Sequence, residues 1–167
     1  LNDYATGVRA FINWCMQRKY LDQDPMTGLR KFDTSPKTFR RSLTVDEFGV
    51  LLKVASQERK FLYRMELATE FRASEMGALR VGDVNLEKGT VLLRADSTKD
   101  KKDALYPLPP QLAADLVPWC AGRPKAEKLF PGFVVAHAAK MLYRDLKAAG
   151  IDRCTYEGKV DFHALRV

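Results

Sequence analysis

Apolar residues Tyr4, Val8, Phe11, Ile12 and Cys15 recur at spacings of three and four, while Arg9, Asn13, Gln17 and Arg18 fall elsewhere. This pattern predicts an amphipathic helix, closed by Asp24-Pro25 and Gly28. From Arg30 to Arg41 the period disappears. Arg30, Lys31, Lys37, Arg40 and Arg41 stand against the single acid Asp33, with Pro36 among them, so an extended basic linker is expected. The helical pattern resumes at Thr44-Val45-Asp46-Glu47, a capping box in which the threonine oxygen accepts from the Glu47 amide and the carboxylate reaches back. Leu43 and Phe48 occupy the positions of a hydrophobic staple. The helix continues through Leu51, Leu52 and Ala55. A second begins near Arg59 with Leu62, Met65, Glu66 and Thr69 in register, and a third covers Ser74 to Leu79.

Beyond Asp83 the period changes. Val84 and Leu86, the Lys88-Gly89 turn, Val91-Leu92-Leu93, the polar loop Ser97 to Asp103, and Leu105-Tyr106 predict a three-stranded antiparallel meander. Pro109-Pro110 opens a further helix with Leu112, Leu116 and Trp119 on one face. A longer helix is expected from about Val134 to Ala149, stopping at Gly150. Asp161 is placed to cap a last helix containing His163 and Arg166.

Composition narrows the class. In 167 residues, 46% hydrophobic and 29% charged content is that of a globular protein and excludes a disordered chain. The net charge of +7 is compatible with a polyanionic partner, nucleic acid being the commonest, and equally with a basic protein that is simply soluble. Cys15, Cys120 and Cys154 lie far apart with no CxxC pair, so they are read as reduced, mostly buried thiols of a cytoplasmic protein, without a zinc site. No apolar run suffices to span a bilayer; the stretch 133–139 is interrupted by His137. The opening Leu1-Asn2-Asp3-Tyr4 and the end at Arg166-Val167 are read as cut points, and a fragment is expected.

Taken singly, the candidate site residues are ordinary. An arginine between two helices, as Arg72 is, usually bridges helix ends, and a lysine on a hairpin tip, as Lys99 is, is usually solvated. His163 and Arg166 are three apart and share one helix face. In order, they form a pattern. Glu70-Phe71-Arg72-Ala73-Ser74-Glu75-Met76-Gly77-Ala78-Leu79 with Asp83-Val84 resembles the first arginine box of the tyrosine recombinases, the phage integrase family. Thr98-Lys99 and Tyr106-Pro107-Leu108-Pro109 resemble that family's lysine-bearing β-hairpin, and His163-Ala164-Leu165-Arg166 resembles its HxxR. The resemblance implies a mixed α/β, mainly helical fold. Residues 1–33 would be the C-terminal part of a helical core-binding domain with its last helix, 34–41 a basic linker, and 42–167 an incomplete catalytic domain with a small three-stranded antiparallel sheet.

The chemistry explains the residue types. Attack on a phosphodiester by a protein nucleophile builds negative charge on the non-bridging oxygens, which planar, permanently charged guanidiniums hold with paired hydrogen bonds. The resemblance gives that role to Arg72 and Arg166. It gives Lys99 protonation of the departing 5′-oxygen, preferred over Lys101 and Lys102 of the same loop for its distance to Pro107, and His163 general-base or donor duty at the same phosphate. Glu75 is expected to orient an arginine or the fold. Arg30, Lys31, Lys37, Arg40, Arg41, Lys101 and Lys102 are candidate DNA contacts. No metal or other cofactor is implied. Double-stranded DNA is the implied partner, with the whole protein a tetramer on two DNA sites, cytoplasmic and nucleoid-associated.

Three departures qualify the resemblance. Glu70-Phe71 stand where the family usually has Gly-Leu, and Val167 stands where many members have a histidine. Tyr4, Tyr20, Tyr63, Tyr106, Tyr143 and Tyr156 all precede the HxxR box, so none is assigned as the nucleophile and the fragment is expected not to cleave DNA. Competing readings are a non-catalytic DNA-binding module, a type IB topoisomerase-like enzyme, and a helical protein-interaction domain with a chance HxxR.

Overall fold

The computed structural model describes residues 2–30, 39–98 and 101–165, without the side chain of His163. The chain divides into two compact units, Leu1–Lys37 and Thr38–Val167. In the first, helix α1 (Asn2–Gln17) buries Ile12 and Cys15. It ends sooner than Asp24-Pro25 would require. Lys19 takes a left-handed conformation (φ 59°), the Tyr20 amide donates to the Cys15 carbonyl, and the Lys19 amide donates to that of Met16. Those two bonds are a Schellman closure, which needs neither proline nor glycine. Phe11 stacks on Trp14, and Tyr20 packs tilted against Trp14, on its exposed side.

The second unit holds helices α2 (Val45–Val54), α3 (Gln57–Thr69), α4 (Ala73–Ala78), α5 (Pro110–Cys120) and α6 (Ala138–Ala148). The same unit holds strands β1 (Val84–Asn85), β2 (Thr90–Leu93) and β3 (Ala104–Pro107), joined in the order β1-β2-β3 as an antiparallel meander. The expected mainly helical fold with a small antiparallel sheet is therefore present. Val91 and Leu93 alternate into the core, and Gly89 (φ 59°) makes the β1–β2 turn. The helix expected from Val134 begins at Ala138, because Val135–His137 is a 3-10 turn. The meander expectation omitted a second sheet, the hairpin β4 (Cys154–Thr155) and β5 (Gly158–Lys159). Its residues are exposed or half-buried, so no apolar alternation announces them.

The core is built on α3, which buries Phe61, Leu62, Tyr63 and Met65. The Tyr63 hydroxyl donates to Asp145 Oδ2 of α6 (2.7 Å), and Arg59 Nε pairs with the same oxygen (2.7 Å). Burial first, and then the bond to Asp145, drives the Tyr63 phenol far above its ordinary range. Tyr63 is thereby a structural hydroxyl. Of the thiols, Cys15 is buried, Cys120 half-buried and Cys154 exposed, so the expectation of mostly buried cysteines fails at Cys154, which lies on the peripheral hairpin.

The capping box of α2 is formed: Glu47 N donates to Thr44 Oγ1 (3.2 Å) and Thr44 N to Glu47 Oε2 (2.9 Å). Leu43 and Phe48 both pack on the core. Arg41 adds a bidentate pair to the Glu47 carboxylate, at 2.8 and 2.9 Å, and donates to the Asp152 carbonyl (3.0 Å). The Arg41 hydrogen bond, ahead of the Thr44 amide, holds the Glu47 carboxyl below its ordinary pKa. A folded-state pKa below the unfolded one gives stability that is present above the unfolded value and lost as pH falls through the folded one. Glu47→Gln should therefore lower unfolding free energy by about 1–2 kcal/mol near neutral pH. The deficit should shrink in acid, where the native carboxyl is protonated too; urea unfolding at about pH 7 and about pH 3 checks it.

Candidate functional site

Helix α3 is stopped by Glu70, which adopts the left-handed conformation (φ 55°, ψ 27°) and donates its amide to the Glu66 carbonyl (2.8 Å). This is why glycine is favoured there: only glycine takes that conformation without a Cβ penalty. The turn sends Phe71 into the core, edge-on to Tyr106 of β3 with ring centroids 4.7 Å apart. Arg72 then emerges as the N-cap residue of α4, its side chain 54% exposed.

Glu75, one turn on, is buried at 5% exposure. Its Oε2 accepts the Arg72 backbone N–H (2.7 Å) and its Oε1 accepts from the Arg72 guanidinium (2.9 Å). One carboxylate thus fixes both the start of α4 and the direction of the arginine, leaving the other guanidinium donors for a ligand. Asp83 works similarly behind it. It caps Arg80 N (2.7 Å) and pairs with Arg94 (3.2 Å), whose guanidinium also donates to the Ala78 carbonyl.

An open cleft runs from the α3–α4 junction to the β2–β3 hairpin, lined among others by Glu70, Arg72, Glu75, Thr98, Lys102 and Tyr106. The base of the hairpin loop is tied locally. Thr98 Oγ1 accepts from Lys102 N (3.2 Å), and Asp103 Oδ1 accepts from Ala95 N (2.6 Å). Lys102 therefore lies in the same cleft as Arg72, while Lys101, also exposed, takes a left-handed φ of 50°. Sequence reasoning placed Lys102 among the DNA contacts and preferred Lys99 of the same loop at the phosphate, so it did not set Lys102 in one cleft with Arg72. Only the fold of the loop base does so. Lys99 lies outside the described residues.

The His163 segment is a 3-10 turn, Phe162–Leu165. Asp161 Oδ1 accepts from Ala164 N (3.1 Å), the expected cap. Phe162, Ala164 and Leu165 are buried, and Phe162 stacks on Phe133 at 5.6 Å. Arg166 and the His163 side chain are outside the described residues. Of the basic contacts expected in the linker, Lys31 and Lys37 are likewise outside, and Arg30 is exposed. Arg40 is 67% exposed and pairs with Asp161. Arg41 is engaged within the fold. Its side chain is 8% exposed and bound to Glu47, which gives it a structural role in holding the start of α2. Among the described residues no group of three or more His, Cys, Asp or Glu side chains is placed to hold a metal, and no helix is long and apolar enough to cross a membrane.

This arrangement, an arginine held by a buried carboxylate beside a lysine-bearing hairpin, belongs to a class. The phage integrase family model matches residues 41–167, and the chain belongs to that family. It is 31% identical over 84 residues to tyrosine recombinase XerA of Pyrococcus furiosus, covering 48% of this chain and 29% of that protein. It is 28% identical over 102 residues to the defective protein IntQ of Escherichia coli (strain K12), covering 60% of this chain and 25% of that one. Its fold resembles the lambda integrase tetramer bound to a Holliday junction, with TM-score 0.66 at 14% identity, over 92% of this chain and 46% of that one. The chain spans under a third of the curated relatives it matches.

Two expectations follow from the α3–α4 junction. Glu70→Gly should raise stability by about 1 kcal/mol by relieving the left-handed conformation. Glu75→Ala should cost about 2 kcal/mol, since it orphans the Arg72 amide and removes a charge-assisted bond. Urea unfolding of both variants measures each shift.

Proposed function

We propose that this chain is the phosphate-gripping part of a site-specific tyrosine recombinase that breaks and rejoins double-stranded DNA without a metal. The single observation that supports this best is the Arg72 guanidinium, braced by buried Glu75 at the edge of a cleft shared with the β2–β3 hairpin. In this reading Arg72 and Arg166 bind the non-bridging oxygens of the scissile phosphate and stabilise the charge that develops there. Lys99, on the hairpin whose base is fixed by Thr98 and Asp103, protonates the leaving 5′-oxygen. His163 serves the same phosphate as base or hydrogen-bond donor. Lys101 and Lys102 supply positive charge beside it, and Arg30, Lys31 and Lys37 contact the DNA backbone. Residues 1–33 act as the end of a core-binding domain, 34–41 as the linker and 42–167 as the catalytic domain. None of the tyrosines in the chain is assigned as the nucleophile that forms the 3′-phosphotyrosyl intermediate, and Tyr63 in particular is buried and bound to Asp145. The chain alone is expected not to form that adduct. The working assembly is a tetramer on two DNA sites; in the similar solved structure, a lambda integrase tetramer is bound to a Holliday junction.

The test uses the complete gene product and a nicked suicide duplex that traps the covalent adduct. Arg72→Ala, Lys99→Ala and Arg166→Ala should each slow adduct formation by at least about a hundredfold. Binding to the intact duplex should change by no more than about threefold, a fraction of the energy of one charge-assisted contact. Normal cleavage by all three variants rules the proposal out. Holliday junctions formed from two duplexes distinguish recombination from relaxation by a type IB topoisomerase.

A further inference from the structure

The segment Phe39–Arg41 is built into the fold beside the His163 turn, by contacts that catalytic-domain motifs do not foreshadow. Lys159 N donates to the Phe39 carbonyl (2.8 Å), and Arg41 N donates to the Lys159 carbonyl (3.2 Å). These bonds pair Arg40 in parallel with Lys159 as a single isolated bridge, so the segment is tied to the edge of the two-stranded β4–β5 hairpin. The approach is close. A Cβ on Gly158 would lie 2.7 Å from the Phe39 carbonyl oxygen, and Gly158 has φ 139°, so position 158 admits only glycine.

The two arginines of the segment then hold opposite ends of the stretch 152–161. Arg41 donates to the Asp152 carbonyl at its entrance (3.0 Å). Arg40 Nε donates to Asp161 Oδ2 at its exit (2.7 Å), while the other oxygen of Asp161 accepts from Ala164 N (3.1 Å). One carboxylate therefore joins the segment on one side to the turn that carries His163 on the other. An ion pair with one partner two-thirds exposed adds little to global stability, so its effect is on where the turn sits.

We infer that Arg40 is a positioning residue: acting through Asp161, it sets the orientation of the Phe162–Leu165 turn and so of the second half of the phosphate site. The inference rests on the recombinase reading above. It gives Arg40 a task different from gripping the DNA backbone: holding, through Asp161, the backbone of the Phe162–Leu165 turn.

The experiment compares Arg40→Gln, Arg40→Lys and Asp161→Asn in the complete gene product, with Arg72→Ala alongside. Asp161→Asn retains an oxygen able to cap Ala164 while losing the charge that draws Arg40. Arg40→Gln should slow suicide-substrate cleavage by at least about tenfold at saturating DNA, with affinity and its salt dependence unchanged. Asp161→Asn should do the same, the two changes combined should add nothing further, and Arg40→Lys should recover most of the rate. Amide exchange at Ala164 in the 167-residue chain should quicken in Arg40→Gln, while α3 exchanges as before. Two results overturn the inference. One is a loss confined to DNA affinity, with a salt slope reduced by about one phosphate contact, which makes Arg40 a backbone contact only. The other is unchanged cleavage by Arg40→Gln while Arg72→Ala is inactive. If Arg72→Ala cleaves normally, and Lys99→Ala and Arg166→Ala do too, the recombinase reading fails, and the inference with it.

Discussion

A carboxylate taken out of water must be met by donors, and Glu75 is met by two that belong to the same residue, the backbone amide and the guanidinium of Arg72. The arrangement on the α3–α4 junction follows from that requirement. Satisfying the carboxylate starts α4 at Ala73, points Arg72 outward, and draws the preceding residues into a turn tight enough to need a left-handed conformation at Glu70. Removing the guanidinium's freedom in advance is what makes it useful towards a phosphate, because the cost of orienting it is met in folding.

The same device recurs where elements must be held in register. Glu47 is clasped by Arg41 and the Thr44 amide, Asp83 by the Arg80 amide and Arg94, and Asp145 by Tyr63 and Arg59. Each acidic group is more than half-buried and joins a backbone position or a neighbouring element to a cation or a phenol. Twenty-eight basic residues exceed twenty-one acidic ones, so this internal use of carboxylates leaves the surplus cations at the surface. A surface of that sign favours encounter with a polyanion, whatever else the protein does.

Phe71 and Glu70 show how the chain departs from the usual Gly-Leu without losing the junction. Phe71 is larger than leucine, and it is accommodated by setting its ring edge-on to Tyr106 of the neighbouring strand. Glu70 retains the backbone conformation that glycine would take more cheaply, which places a carboxylate on the rim of the same cleft as Arg72 and Lys102.

Local patterns carried much of this fold. Helices α2, α3, α4 and α5 and the β1–β2–β3 meander follow from apolar period, the Thr44 box and the Lys88-Gly89 turn, because those signals lie within a few residues of the structure they cause. The sequence by itself also determined the family resemblance and the order of Arg72, His163 and Arg166 along the chain. What it could not contain was any relation set by long-range contact. The end of α1 is decided by a Schellman closure at Lys19 rather than by Pro25, and the β4–β5 hairpin has too little buried side-chain surface to leave a period. Arg41 and Arg40 read alike as linker cations. Tertiary structure alone separates them, burying one against Glu47 and fastening the other to Asp161, 121 residues away. Sequence spacing fixes which charges lie within one turn of each other. Which charge is buried, and against what, is fixed only when distant segments pack.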